Sequence, residues 1–586
     1  MKRQSAILAK FGVRWPLASM VVLFVLQTAL LAQAGPEEHI GLPLDWSNHH
    51  IIFTNGASPD VAAKQARDPR SWINWAQRSA WMFPRFPWEP LPASRRHMRV
   101  DWAMPLGPTY GLPLAESPAK YSFNVNSTPS CANDFVVYTI AATPSAAQAN
   151  IVAFNNLYTG TSSSSCPTAN QSPPGTGELT APTFLWAYAA GTEGSALSPT
   201  LSLSGTQVAF VESGTQAKAT NPAYFDVLTP TAGQGTNATS PYVLSAGSSL
   251  TRLNYTDSGI TGCGTGTTNS NSSAYIDYTD NVAYIGADNG ILYRITGVFN
   301  GTPAVEYCIT VNAGKLLTSP VYDQVSNEVF VSDGTSLYAY TPGATGFTKV
   351  NSIALASTNG DAIILSPIVD STNGYVYVFG GADPTGTYSI VSQVNTALTS
   401  QVTADIGPAA TYYIFDGDFS NPYFATGPSA GLLYVCGTQT GASNKPSLYA
   451  LSFKASGVMN SAPAMSNNVN INGASNPAGY CSPLMEFYNG TTDQLFVGTG
   501  ALGATSGANL VTEWNITSAI SSTTAATNTA TNEWGGTSAF TVDNVSTEDQ
   551  AASIYFGTLA AASSGTAPAC PKGQYCAIKL TQSGLQ

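Results

Sequence analysis

Four histidines, His39, His49, His50 and His97, are the first candidates for acid–base chemistry, because only imidazole titrates near neutral pH without perturbation. All four precede residue 100, so a Ser-His-Asp or Cys-His site later in the chain would need an imidazole from the N-terminal region. His49 and His50 are adjacent in DWSNHHIIF, and adjacent residues on a strand face opposite ways, which disfavours a shared metal. Asp416-Gly417-Asp418 with Asn421 has the oxygen content of a calcium site but lacks the distal glutamate of a full calcium loop. A turn before a strand is the plainer reading. Asp277, Asp323 and Asp370 each stand four residues beyond a serine in similar stretches. Such recurrence predicts a turn-capping role in every copy. No catalytic, cofactor or metal residue is therefore assigned, with calcium kept as the alternative. A carboxylate pair for glycoside cleavage stays open, because its spacing is spatial.

The eight cysteines are Cys131, Cys166, Cys263, Cys308, Cys436, Cys481, Cys570 and Cys576. None forms Cys-x-x-Cys and none has a histidine nearby, which argues against zinc. An even count suits disulfides in an oxidising compartment. Eight cysteines allow 105 pairings. Sequential pairing is preferred, because three of its separations, 35, 45 and 45 residues, match one repeat.

That repeat supplies the elements. Residues 318–340 read TSPVYDQVSNEVFVSDGTSLYAY: a Ser-Pro, an apolar run, an Asp, a turn, a second apolar run, a Gly turn and an aromatic-rich run. Related copies start at Ser198, Ser273, Ser366, Ser482 and Ser538, and weaker ones occupy 121–155 and 413–453. Each run is short, β-branched or aromatic, and bounded by turn residues, as strands are. Outer strands are expected at 183–189, 304–311 and 347–353. Residues 576–582 read as a third strand, and 100–106 as the missing fourth that closes a ring. Eight multi-strand units point to an all-β propeller of eight blades, with seven as the alternative. Helical periodicity is confined to the region before residue 100.

The runs VFVSDGTSLYAY, ILYRI (291–295), SLYAL (447–451) and YVYVF (375–379) resemble the repeat of the pyrroloquinoline-quinone-type propeller superfamily. The resemblance covers about 101–586 and implies the propeller fold. Its members range from quinoprotein dehydrogenases to non-catalytic assembly and adhesion proteins. The dehydrogenase branch implies a quinone between an indole and a vicinal Cys-Cys pair, with a calcium ion; this sequence has no adjacent cysteines.

Charge and composition narrow the function. Charged residues are 10% of the chain, against roughly 25% in ordinary domains. Twelve of the 22 Lys and Arg precede residue 101, with six of the 34 acids, so the remainder is near −18 and would repel nucleic acid. Lys2, Arg3, Lys10 and Arg14 precede an apolar stretch ending Ala32-Gln33-Ala34, so residues 1–34 read as a cleaved secretory signal rather than an anchor. No later segment is apolar enough to span a membrane. Residues 35–99 read as an aromatic, basic arm with short helices opened by Ser-Pro and Asp-Pro. In it Trp72, Trp75, Trp81, Trp88 and Arg85 are candidates for docking. Residues 100–586 then form the ring. The chain reads as a secreted, periplasmic or cell-surface module that binds a glycan, peptide or partner protein at one face or in the channel. A carboxylate glycoside hydrolase or lyase is the enzymatic alternative, and a quinoprotein-like dehydrogenase a more distant one. Residues 256–272 and 517–535 are expected to be long polar loops.

Overall fold

A computed structural model describes residues 99–122, 130–158, 182–213, 222–247, 249–264, 268–357, 363–410, 413–469, 479–488, 492–501, 510–531, 534–544, 552–562 and 570–581, with 42–43, 51–52, 63–64 and 70 before them. Eight sheets follow one another along the chain, each built on an antiparallel set of four strands; Tyr242–Leu244 adds a parallel strand to the outer edge of the first. Blade one is Ala119–Ser122, Phe135–Thr139, Ile151–Asn155 and Thr183–Ala190; blade two is Thr200–Leu201, Val208–Glu212, Tyr224–Leu228 and Leu250–Asn254. Blade three runs from Tyr275–Asp277 through Val282–Gly286 and Ile291–Thr296 to Ala304–Thr310. Blade four runs from Val321–Asp323 through Glu328–Ser332 and Ser336–Pro342 to Phe347–Ala354. Blade five is Ile368–Asp370, Tyr375–Gly380, Tyr388–Asn395 and Gln401–Pro408. Blade six is Asp418–Phe419, Leu432–Gln439, Ala442–Ser452 and Met465–Val469. Blade seven is Met485–Tyr488, Asp493–Ala501, Leu510–Asn515 and Asn528–Thr531, so the region read as a polar loop at 517–535 carries a fourth strand. Blade eight takes Thr541–Asn544, Ala552–Gly557 and Tyr575–Thr581 from the C-terminal region and Arg99–Gly107 from the N-terminal side.

The chain is an eight-bladed β-propeller. First strands are mostly buried, as at Val321–Asp323, and the fourth strand Phe347–Ala354 of blade four is the more exposed, whereas the fourth strands Thr183–Ala190 and Arg99–Gly107 are largely covered. Most neighbouring first strands touch, including those of blades eight and one, which closes the ring. They therefore line the axis, and the fourth strands form the rim. Apolar residues on both faces of the middle strands pack between blades: Phe330 and Val331 share a cluster with Tyr284 and Val376 of the two neighbours. This is why those runs are apolar at every position rather than alternately.

Three disulfides join Cys263 to Cys308, Cys436 to Cys481 and Cys570 to Cys576. The first bridge ties the approach to blade three to that blade's fourth strand, and the second ties blade six to the start of blade seven. The Cys131–Cys166 pairing falls on Cys166, outside the described residues, as do Trp72, Trp75, Trp81, Trp88, Arg85 and all four histidines.

Among the described residues, one α-helix lies outside the region where helical periodicity was expected. Asn421–Ala425 follows the first strand of blade six, with Pro422 in its first turn. Five residues are too few to show a period.

Candidate functional site

The geometry repeated at the first strands decides what the recurrent aspartates do. Asp323 accepts hydrogen bonds from the backbone N–H of Val325 (3.1 Å) and Ser326 (3.0 Å), and Asp370 accepts them from Thr372 (3.0 Å) and Asn373 (2.9 Å). Asp277 does the same for Thr279 at 3.0 Å. The residue four beyond each Asp then takes a left-handed backbone: Asn281 (φ 55), Asn327 (φ 57) and Gly374 (φ 71). Asn and Gly tolerate that region best, so the Asp-x-x-x-Asn/Gly spacing is the turn's chemistry. Each carboxylate also binds the next blade. Gln324 donates to Asp277 (3.3 Å), Ser371 to Asp323 (2.7 Å) and the Tyr423 hydroxyl to Asp370 (2.6 Å). These acids are turn caps and inter-blade ties.

The serines at the other end of the first strands form a second set of ties. The Ser117 N–H donates to Ser198 Oγ (2.9 Å), the Ser198 N–H to Ser273 Oγ (3.2 Å) and the Ser273 N–H to Ser319 Oγ (2.8 Å). Blade six breaks the series. Asp418 opposes Tyr434 and then Ala450, as Val321 opposes Phe330 and then Ala339. Asp416 therefore stands where blade four has Ser319. Its carboxylate is buried, and neither oxygen has a hydrogen-bond partner among the described residues. Burial, and then the nearby Asp418 charge, push its pKa well above the ordinary aspartate range. Asp418 and Asn421, the residues of the calcium alternative, are engaged with the protein's own backbone and side chains. Asp418 accepts from the N–H of Phe419 (2.8 Å) and Glu486 (2.7 Å), and the Asn421 N–H donates to Asp493 (2.7 Å).

Asp416→Ser is expected to stabilise the fold by about 1–3 kcal/mol, the usual cost of a buried polar group left unsatisfied. The pH dependence has a fixed sign. With its folded pKa raised, Asp416 holds a proton that the unfolded chain has released, so its favourable contribution is complete in acid and lost as pH rises through the folded value. Urea midpoints from pH 4 to pH 8 should therefore diverge, the substituted protein gaining most at the alkaline end. Equal midpoints at pH 8 would remove this account of Asp416.

Two buried ionic clusters lie beyond the first-strand turns. In blade two, Arg252 Nη2 lies 2.6 Å from Glu212 and its guanidinium covers the Tyr224 ring at 3.9 Å, with Asp226 across the strand pair. Glu212 also accepts the N–H of Thr192 and Glu193, both at 3.1 Å, from the connection leaving blade one. Burial, and then Glu212, raise the Asp226 pKa. This close carboxylate pair holds a guanidinium and a loop, not an open cleft.

The second cluster lies where blade eight meets blade one. Lys120 Nζ, fully buried, is 2.9 Å from Asp543 and donates to Ser122 (2.6 Å) and the Tyr158 hydroxyl (2.7 Å). The Tyr158 hydroxyl is 3.0 Å from both Asp134 and Asp543. Lys579, also fully buried, lies 3.2 Å from Asp101 and donates to the Leu157 carbonyl (2.9 Å). Asp543 stands at the blade-eight position equivalent to Asp323, as shown by its pairing with Ser553 where Asp323 pairs with Glu328. The forward tie made elsewhere by glutamine, serine or tyrosine is made here by a lysine ammonium. Burial lowers the Lys579 pKa, while burial and the two carboxylates raise that of Tyr158.

The axis is not empty. Leu42–Pro43 pairs antiparallel with the first strand of blade one, and Ile51–Ile52 pairs parallel with the first strand of blade five, each on the strand's inner edge. In a ring of eight, blades one and five stand opposite. Leu42 lies level with Ser122 at the Asp end of the first strands, and the Ser371 N–H at that end donates to the Ile52 carbonyl (3.2 Å). The arm therefore enters and leaves by the same mouth. At that mouth Lys64 Nζ reaches the Val325 carbonyl of blade four (3.4 Å). Buried Arg70 donates to the Ile276 carbonyl of blade three (2.8 Å), its guanidinium 4.0 Å from the centre of the Tyr275 ring.

At the opposite mouth, where the first strands begin, a shallow surface groove lies between blades six and seven. Tyr413 and Tyr480 supply aromatic surface and Ser443 and Lys445 supply polar groups, while Phe415 and Thr438 in the same lining are buried and the Thr438 hydroxyl donates to the Pro408 carbonyl. Tyr413 is 49% exposed, so a ring is open to solvent beside the groove. The sequence reading assigned none of these residues, because the approach to blade six, blade six itself and the approach to blade seven contribute them from separate segments.

Among the described residues, no group of three His, Cys, Asp or Glu is placed to hold a metal, and no helix is long and apolar enough to cross a membrane. No protein-family model matches this chain, and no curated protein matches it. Solved structures similar to it include BamB from Moraxella catarrhalis, at 10% identity and a TM-score of 0.38, covering 82% of this chain and 97% of that one. Sqt1 from Chaetomium thermophilum matches at 11% identity and 0.42, covering 83% and 98%. The computationally designed Ika8 matches at 9% identity and 0.43, covering 82% and 99%. The chain's own geometry establishes an eight-bladed β-propeller whose channel is entered by its N-terminal arm and whose first-strand aspartates are spent on turns and ties.

Proposed function

We propose that this chain is an exported binding propeller that takes a carbohydrate chain in the groove between blades six and seven. The observation that carries the reading is the exposed Tyr413 ring beside Tyr480, with Ser443 and Lys445 within the same lining. Sugars present an apolar face and a hydroxyl edge, and a site for them combines flat aromatic surface with a few polar groups. The disulfides and the basic-then-apolar N-terminal stretch support export. The engagement of Asp277, Asp323 and Asp370 in architecture supports binding over glycoside cleavage.

A glycan array probed with the secreted protein and with Tyr413→Ala tests this. Binding to a defined glycan that falls at least tenfold in the variant is expected. An array on which the native protein binds nothing would transfer the reading to a protein partner at the same face.

A further inference from the structure

The arm shows what the channel accepts. It adds one strand antiparallel and one parallel to first strands on opposite sides of the axis. Pairing in both directions means that the inner edges recognise extended main chain, as in strand addition to a sheet edge. Ile52, 2% exposed, supplies the apolar contact, and Lys64 and Arg70 supply cations at the mouth where Asp277, Asp323 and Asp370 end their strands. The ring is acidic and the arm after residue 34 is slightly basic, so their charges are complementary.

We propose that the channel is an acceptor for an extended basic peptide carrying β-branched residues, and that the arm is its resident occupant. The proposal rests on the reading of the ring as a binding module, but not on the groove. Because the arm enters and leaves by one mouth, it withdraws without threading and without opening a blade. The 28 residues 71–98 separate Arg70 from the strand of blade eight. A chain of that length reaches up to about 90 Å, so the arm can leave while that strand stays paired. A peptide of matching chemistry then takes the vacated edges.

The test uses the chain from residue 35 onward, a fluorescent synthetic peptide of residues 41–70 and a scrambled peptide of the same composition. Arg70→Glu combined with Ile52→Asp expels the arm, with Arg70→Ala as the milder second variant. Hydrogen exchange in Ala119–Ser122 and Ile368–Asp370 reports whether the arm has left. Anisotropy is expected to show at least tenfold tighter binding to an expelled variant than to the native chain. Exchange protection should return on binding, and affinity should fall as salt rises. Three results would overturn the proposal: exchange unchanged in both variants, a vacated channel that binds no peptide, or equal binding of the scrambled peptide. Peptide failure with glycan binding intact removes the channel site alone. Peptide binding without any glycan binding removes the groove reading alone.

Discussion

A chain ended at Gln574 will not form a closed ring. The cut removes Tyr575–Thr581, which lies between Ala552–Gly557 and Arg99–Gly107 and, among the described residues, is the only strand partner of Arg99–Gly107. It also removes Cys576, Ile578 and Leu580 from the core between blades seven and eight, and Lys579 from Asp101. Each fully buried aliphatic side chain contributes about 1.5–3 kcal/mol. Losing several, with a full strand ladder, consumes most of the roughly 5–15 kcal/mol by which a domain is stable. Expected results are lost near-UV circular dichroism, no cooperative urea transition and rapid proteolysis. A control ended at Thr581 retains the strand and should behave as the full chain. Cooperative unfolding of the Gln574 form would show that the seam is dispensable.

Lys120→Met will cost about 3–5 kcal/mol, the usual penalty for breaking a buried ion pair from one side. The substitution leaves the fully buried Asp543 facing Tyr158 and Tyr555 without the ammonium at 2.9 Å. The loss belongs to the stranded charge more than to the pair, so Lys120→Met with Asp543→Asn should recover part of it. Urea midpoints of the two single variants and the double variant measure the coupling. Strictly additive losses would mean that the two residues do not act together.

These two residues also show where sequence reading stops. Lys120 in AKYS is an ordinary strand residue until the ring brings Asp543 to it from the far end of the chain. The blade count was legible because every copy repeats the same apolar runs, and the Asp turns were legible because capping is local. The serines were seen but not understood, since their partner is the next copy rather than a neighbour in sequence. Ser482-Pro483 even misleads. The Ser482 N–H donates to Gly498 as Thr318 does to Ser332, so this Ser-Pro sits one register earlier than Ser319-Pro320. The defect at Asp416 is invisible without pairing, because only register shows that it occupies a serine's place. The arm's entry into the channel had no signal at all, for two-residue strands carry no period. The groove was equally hidden, being assembled from separate segments of the chain.

The seam has a mechanical consequence. Arg99 pairs with Thr581 and Gly107 with Tyr575, so the chain leading in and the chain leading out leave the seam at the same end. A load applied between the two ends of the protein would peel this ladder one bond at a time rather than shear all its bonds together. Peeling is the low-force mode, and a ring held only by this strand pair would be easily unzipped. The arm changes the load path. Arg70 and Ile51–Ile52 hold the incoming chain to blades three and five, so tension must first pull the arm from the axis before it reaches Arg99. The arm thus acts as a strain relief for the one joint in the ring that peels.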